Sequence, residues 1–125
     1  MVKGVGIDTV EIARMRKRCA DLSCAFVQRT FTDGERAEAE RRHDAASYLA
    51  GRFAVKEATY KAIAHLTDAG VLDFRSVETL ADERGCPHVV PSDRLRRALD
   101  EAGVAELLVS ITNEAGRATA IVIAQ

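Results

Sequence analysis

The chain contains no tryptophan, and aromatic residues make up only 5% of it. That scarcity removes the stacking platforms on which single-stranded nucleic acid is usually held. The formal net charge of −1 supplies no global basic field either. Nucleic-acid binding is left with a local basic run from Arg14 to Arg18, and the composition argues against it. No segment approaches the roughly 20 consecutive apolar residues of a membrane span. The opening MVKGVGIDTV has neither the apolar core nor the small-residue cleavage site of a secretory signal. The expected setting is the cytoplasm, with no membrane partner. Three cysteines, Cys19, Cys24 and Cys86, form no CxxC pair and no zinc spacing, and an odd number suits a reducing compartment. They read as small apolar residues. There are only two prolines, and no repeat, low-complexity tract or linker interrupts the 125 residues, so one domain spanning 1–125 is expected.

What is present is a globular balance of 47% hydrophobic and 30% charged residues. Within Val2 to Val10, Val5 and Ile7 alternate with glycines, which reads as a strand ending at a polar residue, Asp8. Ile12, Met15, Cys19 and Leu22 then recur at helical spacing, leaving a basic wet face. Thr32 stands three residues before Glu35 in the pattern of a capping box, followed by a polar helix to about Arg42 that reads as solvated. Residues 45–66 are alanine-rich and free of proline, which predicts a long central helix. SVETL and PHVV read as strands around a turn at Gly85, Ser92 as the cap of a short helix ended by Gly103, and AELLVSIT with RATAIVIA as a hairpin joined by NEAG. The expected fold class is α+β, with helices packed on a mostly antiparallel sheet.

The chemistry-bearing stretch is GRFAVKEATYKAI, residues 51–63. With Leu49, Phe53, Tyr60 and Ala64 aligned as a buried stripe, Glu57 falls at its edge, where a carboxylate loses hydration unless a cation compensates it. Lys61, one turn on, is the simplest such cation, in an i,i+4 pair worth about 0.5 kcal/mol when exposed. Arg52 and Lys56 lie on the opposite border, where basic side chains either bind phosphate or snorkel along the helix edge. The other carboxylate of interest is Asp8, closing GVGID. It either caps the helix that follows or meets Glu57, since Gly4 and Gly6 admit close approach by another element or a ligand. Two carboxylates from different elements can hold Mg²⁺, which keeps several waters and completes its octahedron with substrate phosphate oxygens.

GVGIDTVEIAR at the start, FVQRTFTDGE at 26–35, YLAGRFAVKEATYKAI at 48–63 and the closing LLVSITNEAGRATAIVIA resemble, in order and spacing, the holo-acyl-carrier-protein synthase group of 4′-phosphopantetheinyl transferases. The resemblance covers nearly the whole chain. Its specific part is the pairing of GxD with GRFAxKExxxKA. It implies transfer of 4′-phosphopantetheine from coenzyme A to a serine of an acyl carrier protein, with release of adenosine 3′,5′-bisphosphate. It implies Mg²⁺ on Asp8 and Glu57, Glu57 or a metal-bound water as the base, and Lys61 beside the pyrophosphate. Arg52, Lys56 and Asn113 are then expected to contact coenzyme A, and Arg14 and Arg18 to dock the acidic carrier. Members of this short group are usually homotrimers. Asn113 stands where histidine is common, and GCP at 85–87 lacks the usual basic residue. These departures keep a second reading open, a noncatalytic module of the same fold that binds coenzyme A or the carrier. His43, His65 and His88 are expected to be surface or packing residues.

Overall fold

The computed structural model describes residues 1–68, Gly70 and 73–125. Strand β1 (Gly4–Glu11) runs into helix α1 (Ile12–Arg18), a short helix α2 (Ala25–Thr30), α3 (Asp33–Arg41) and the long α4 (Ala45–Ile63). A 3₁₀ turn at Phe74–Ser76 leads to β2 (Val77–Ala81) and β3 (Pro87–Pro91), then α5 (Asp93–Ala102), β4 (Leu107–Glu114) and β5 (Arg117–Ala124). Two antiparallel sheets result, one ordered β1-β5-β4 and the other the β2-β3 hairpin. The fold is α+β, as the sequence implies.

Helix α4 lies across β1 and β5. Its small residues Ala54, Ala58 and Ala62 meet Ala120, Val122 and Ala124 of β5 in one half of the core, closed by Leu95 and Leu99 of α5. Leu49 and Ala50 pack in the other half with Met15, Val27, Phe31 and Ala118. Phe31 and Leu49 are fully buried, and each contributes about 1.5–3 kcal/mol by leaving water. The expected stripe along α4 is therefore corrected: Tyr60 and Ala64 are exposed, while Ala54, Val55, Ala58 and Ala62 are buried. A helix covered by a sheet and by neighbouring helices has no single wet face, so its pattern does not reveal which side carries the core.

Other expectations meet the structure with small shifts. Helix α1 stops at Arg18 rather than continuing to Leu22; Cys19 leaves the helical conformation as its C-cap, and Asp21 Oδ1 then accepts from both the backbone N–H and hydroxyl of Ser23 in the turn that follows. Helix α2 was not anticipated; six residues carry too short a period to be read. The capping box of α3 is present, Thr32 Oγ1 accepting from Glu35 N and Glu35 Oε1 from Thr32 N. The solvated reading of that helix start is overturned, since Glu35 is completely buried. Gly85 (φ 82°) and Gly103 (φ 71°) take the left-handed conformations expected of them. The β4-β5 turn is tighter than NEAG: Ala115 (φ 53°) and Gly116 (φ 75°) alone form it. Positive φ at both central residues suits the right-handed twist of two-residue hairpins.

Candidate active site

In β1 the even-numbered residues face α4 and the odd-numbered ones face away, giving the burial alternation of a two-sided strand. Gly4 and Gly6 let the helix backbone touch the strand. A Cβ on Gly4 would lie 1.9 Å from the Ala62 carbonyl oxygen, and one on Gly6 would lie 1.8 Å from that of Ala58. The close approach anticipated at these glycines is therefore made by α4, and it carries Asp8, next on the same face, to the middle of that helix.

Asp8 and Glu57 line one cavity of about 340 Å³, together with Arg14, Arg18 and Phe53. Lys61 Nζ donates to Asp8 Oδ1 (3.1 Å) and to the Ile7 carbonyl (2.9 Å). This corrects two simpler readings. Lys61 bonds to Asp8, a cross-element partner, in place of the helical pair with Glu57. Asp8 lies inside the strand, and the N-cap position of α1 is Glu11. The Glu57 carboxyl is raised above its ordinary value, first by burial and then by the Asp8 charge, with Lys61 opposing. Helix α1 adds the basic wall: the Arg18 guanidinium sits 3.7 Å over the Phe26 ring. Arg16 is exposed, as its reading as part of a solvated face expects, and there forms a two-point pair with Asp44, the N-cap of α4 (2.9 and 3.2 Å).

Arg52 and Asn113 are elsewhere. They line a second cavity, about 320 Å³, with Arg42, His43, Asp44 and Tyr48. Arg52 stacks 4.1 Å over the Tyr48 ring and Arg42 lies at 4.8 Å from it. The buried Arg52 Nε and Tyr48 hydroxyl have no hydrogen-bond partner among the described residues. His43 and Arg42 are residues the sequence reading missed here; the basic run RRHD ahead of the α4 cap is the signal that was available.

The structure takes Lys56 out of the phosphate-facing set. Its side chain has no exposed surface, and its ammonium donates to Glu35 Oε1 (2.7 Å), the Phe74 carbonyl (2.9 Å) and the Val77 carbonyl (2.7 Å). An ammonium has three donors, and all three are used. Burial lowers its pKa, with Glu35 opposing. Cys86 is exposed at the β2-β3 turn. His65 is within 3.1 Å of the Lys3 carbonyl, and His88 within 2.8 Å of Asp82.

No group of three or more His, Cys, Asp or Glu side chains gathers at metal-binding distance among the described residues. Asp8 and Glu57 nonetheless fit Mg²⁺, which commonly takes one or two carboxylates and fills its remaining positions with water and phosphate oxygens. Burial and then the Asp8 charge both disfavour the ionised Glu57, and a cation between the two carboxylates would oppose both.

The chain as a whole is similar to known proteins. Residues 4–121 match the 4′-phosphopantetheinyl transferase superfamily. The chain is 37% identical over 129 residues to a holo-[acyl-carrier-protein] synthase of Shewanella pealeana, covering 98% of each, and 35% identical to that of Trichlorobacter lovleyi, covering 98% and 97%. Among solved structures it resembles the synthase of Neisseria meningitidis (TM-score 0.87, 30% identity, 100% and 99% covered). It also resembles that of Helicobacter pylori in complex with coenzyme A (TM-score 0.79, 28% identity, 97% and 99% covered). The chain belongs to the 4′-phosphopantetheinyl transferase superfamily. Within it, the match to holo-[acyl-carrier-protein] synthases over almost the full length marks a phosphopantetheinyl transferase of that kind.

Proposed function

We propose that this protein, acting as a single domain of residues 1–125, transfers the 4′-phosphopantetheine group of coenzyme A to a serine of an apo acyl carrier protein, releasing adenosine 3′,5′-bisphosphate. The observation that carries the reading is the shared cavity of Asp8 and Glu57, bordered by Arg14 and Arg18 and tied to Lys61. Mg²⁺ bound by Asp8 and Glu57 would neutralise the pyrophosphate and the charge that builds in transfer. The serine oxygen bonds to the β-phosphorus while the bond from that phosphorus to the bridging oxygen breaks, and the bridging oxygen leaves on the nucleotide. Glu57, which lines the cavity beside Asp8, takes the serine proton directly or through a water. Lys61 stands beside Asp8, where an ammonium stabilises charge on the departing phosphate. Arg52 and Asn113, which line the second cavity, supply donors for a further phosphate of coenzyme A. Arg14 and Arg18 are exposed on α1 and meet the acidic carrier.

The reading includes a homotrimer in the cytoplasm. Its support is the outward face of the β1-β5-β4 sheet, where Val5, Ile7, Leu108 and Ile121 leave between 37% and 58% of their surface exposed. No helix among the described residues is long and apolar enough to cross a membrane.

The test is mass spectrometry of apo carrier protein incubated with the protein, coenzyme A and Mg²⁺. The expected result is a mass gain of one phosphopantetheine on the carrier. Binding of coenzyme A or carrier without that gain, across several carriers, would leave the noncatalytic module instead.

A further inference from the structure

Lys56 and Glu35 form an ion pair with no exposed side-chain surface, and such pairs contribute little net stability, because desolvation offsets their attraction. The use of this one is better judged by what it holds. Glu35 Oε1 accepts from Thr32 N (3.0 Å) and from Lys56, and Oε2 accepts from Thr79 N (3.0 Å). Lys56 holds the carbonyls of Phe74, which opens the 3₁₀ turn, and of Val77, which follows it and begins β2. The pair thus bolts α3, α4, the turn and β2 together at one buried point. Two consequences reach the cavity. Lys56 precedes Glu57, so fixing its side chain inward sets the rotation of α4 and with it the direction of the next residue. Phe74, anchored through its carbonyl yet 38% exposed, packs at a tilt against Phe53 (5.3 Å between centroids), with Phe26 on Phe53 at 6.2 Å, and of these rings Phe53 lines the cavity containing Asp8 and Glu57.

We propose that Glu35 and Lys56 are positioning residues for the transfer reaction, aiming Glu57 into the cavity and clamping Phe74 against Phe53, which lines it. This rests on the transfer reading above. Neither residue touches substrate, and the effect runs through Glu57 and Phe74.

The experiment measures kcat and KM for coenzyme A at a temperature where circular dichroism shows every variant folded. Lys56→Met and Glu35→Gln are each expected to lower kcat/KM at least about tenfold, on the scale by which small misplacements act on catalysis. Phe74→Ala, at an exposed position, is expected to raise KM with kcat retained. Leu95→Ala, a buried change on α5, supplies a comparable loss of melting temperature and is expected to keep kcat/KM within about twofold. If Lys56→Met does not fold, Glu35→Gln and Phe74→Ala decide the matter. The proposal is overturned if the folded Glu35 and Lys56 variants lose no more activity than Leu95→Ala, or if Phe74→Ala matches the parent. A parent protein that transfers nothing would instead overturn the transfer reading, so the two failures are distinct.

Discussion

Replacing Gly6 by alanine adds one methyl group where none fits. The new Cβ would stand 1.8 Å from the Ala58 carbonyl oxygen, a backbone atom that no rotamer change can move. Relief requires β1 and α4 to separate by more than about 1 Å, and a gap of 0.5–1 Å already forfeits a quarter to a half of the dispersion energy between facing atoms. The contact at stake is that of Ala54, Ala58 and Ala62 with the sheet, the centre of the larger core cluster. Ordinary overpacking costs about 1–3 kcal/mol. A backbone collision between two layers belongs at or above the top of that range, so roughly 3–5 kcal/mol is expected, a third or more of the stability of a typical domain. At about 4 °C per kcal/mol this lowers the melting temperature by roughly 12–20 °C. Gly4→Ala, with its Cβ 1.9 Å from the Ala62 carbonyl oxygen, is expected to cost a similar amount. The two should part in function. Gly6 is two residues from Asp8 on the same face, so its variant should lose transfer activity per folded molecule more severely. Urea unfolding at fixed protein concentration and the carrier mass assay at low temperature read both quantities. A Gly6→Ala protein within about 1 kcal/mol of the parent would show that the strand and helix are not locked as described.

Glu57→Gln and Asp8→Asn should each reduce transfer by about 100-fold or more while leaving the fold intact, and a chelator should do the same to the parent; retained turnover in either variant, followed by carrier mass, would contradict the assigned roles. Hydrogen bonds from Arg16 and then Ser47 hold the Asp44 carboxyl well below its ordinary value of 3.8. A depressed carboxyl contributes stability that is complete above about pH 4 and drains away as pH falls toward its folded value. Arg16→Ala should therefore cost most near neutrality and converge with the parent in strong acid, as read by urea titrations at stepped pH; a constant difference would refute the linkage. Val5→Lys combined with Ile121→Lys places charge on the outer sheet face and should reduce the sedimenting mass to that of one chain if this face joins the copies. Asn113→His, placing a titratable donor in the Arg52 cavity, should change the pH dependence of KM for coenzyme A below about pH 7; an unchanged profile would exclude Asn113 from phosphate contact.

Much of this was legible from local pattern. The capping box at Thr32, the left-handed glycines at 85 and 103 and the final hairpin are short-range signals whose cause lies within a few residues. Asp8 and Glu57 were legible as residue types, but their convergence depends on Gly4 and Gly6 of β1 meeting Ala62 and Ala58 of α4, more than fifty residues away. The fate of Lys56 was hidden for a related reason. At the helix border a lysine looks wet, and only the return of Glu35 and of the Phe74–Val77 segment turns that border into interior. Arg52 and Asn113 similarly belong to a cavity whose walls come from α4 and β4, which no spacing in one segment reports.

The pairing of β1 with β5 also has a consequence in time. Asp8 lies beside Ala120, and the Thr9 and Thr119 hydroxyls that meet one position further on are 110 residues apart in sequence. During synthesis the first strand therefore waits, without its sheet neighbour, until residues 117–124 have emerged. Closing so long a loop is slow compared with forming the helices between. The pairing of the strand that carries Asp8 is thus among the last features to be assembled, and a nascent chain carrying every helix would still lack it.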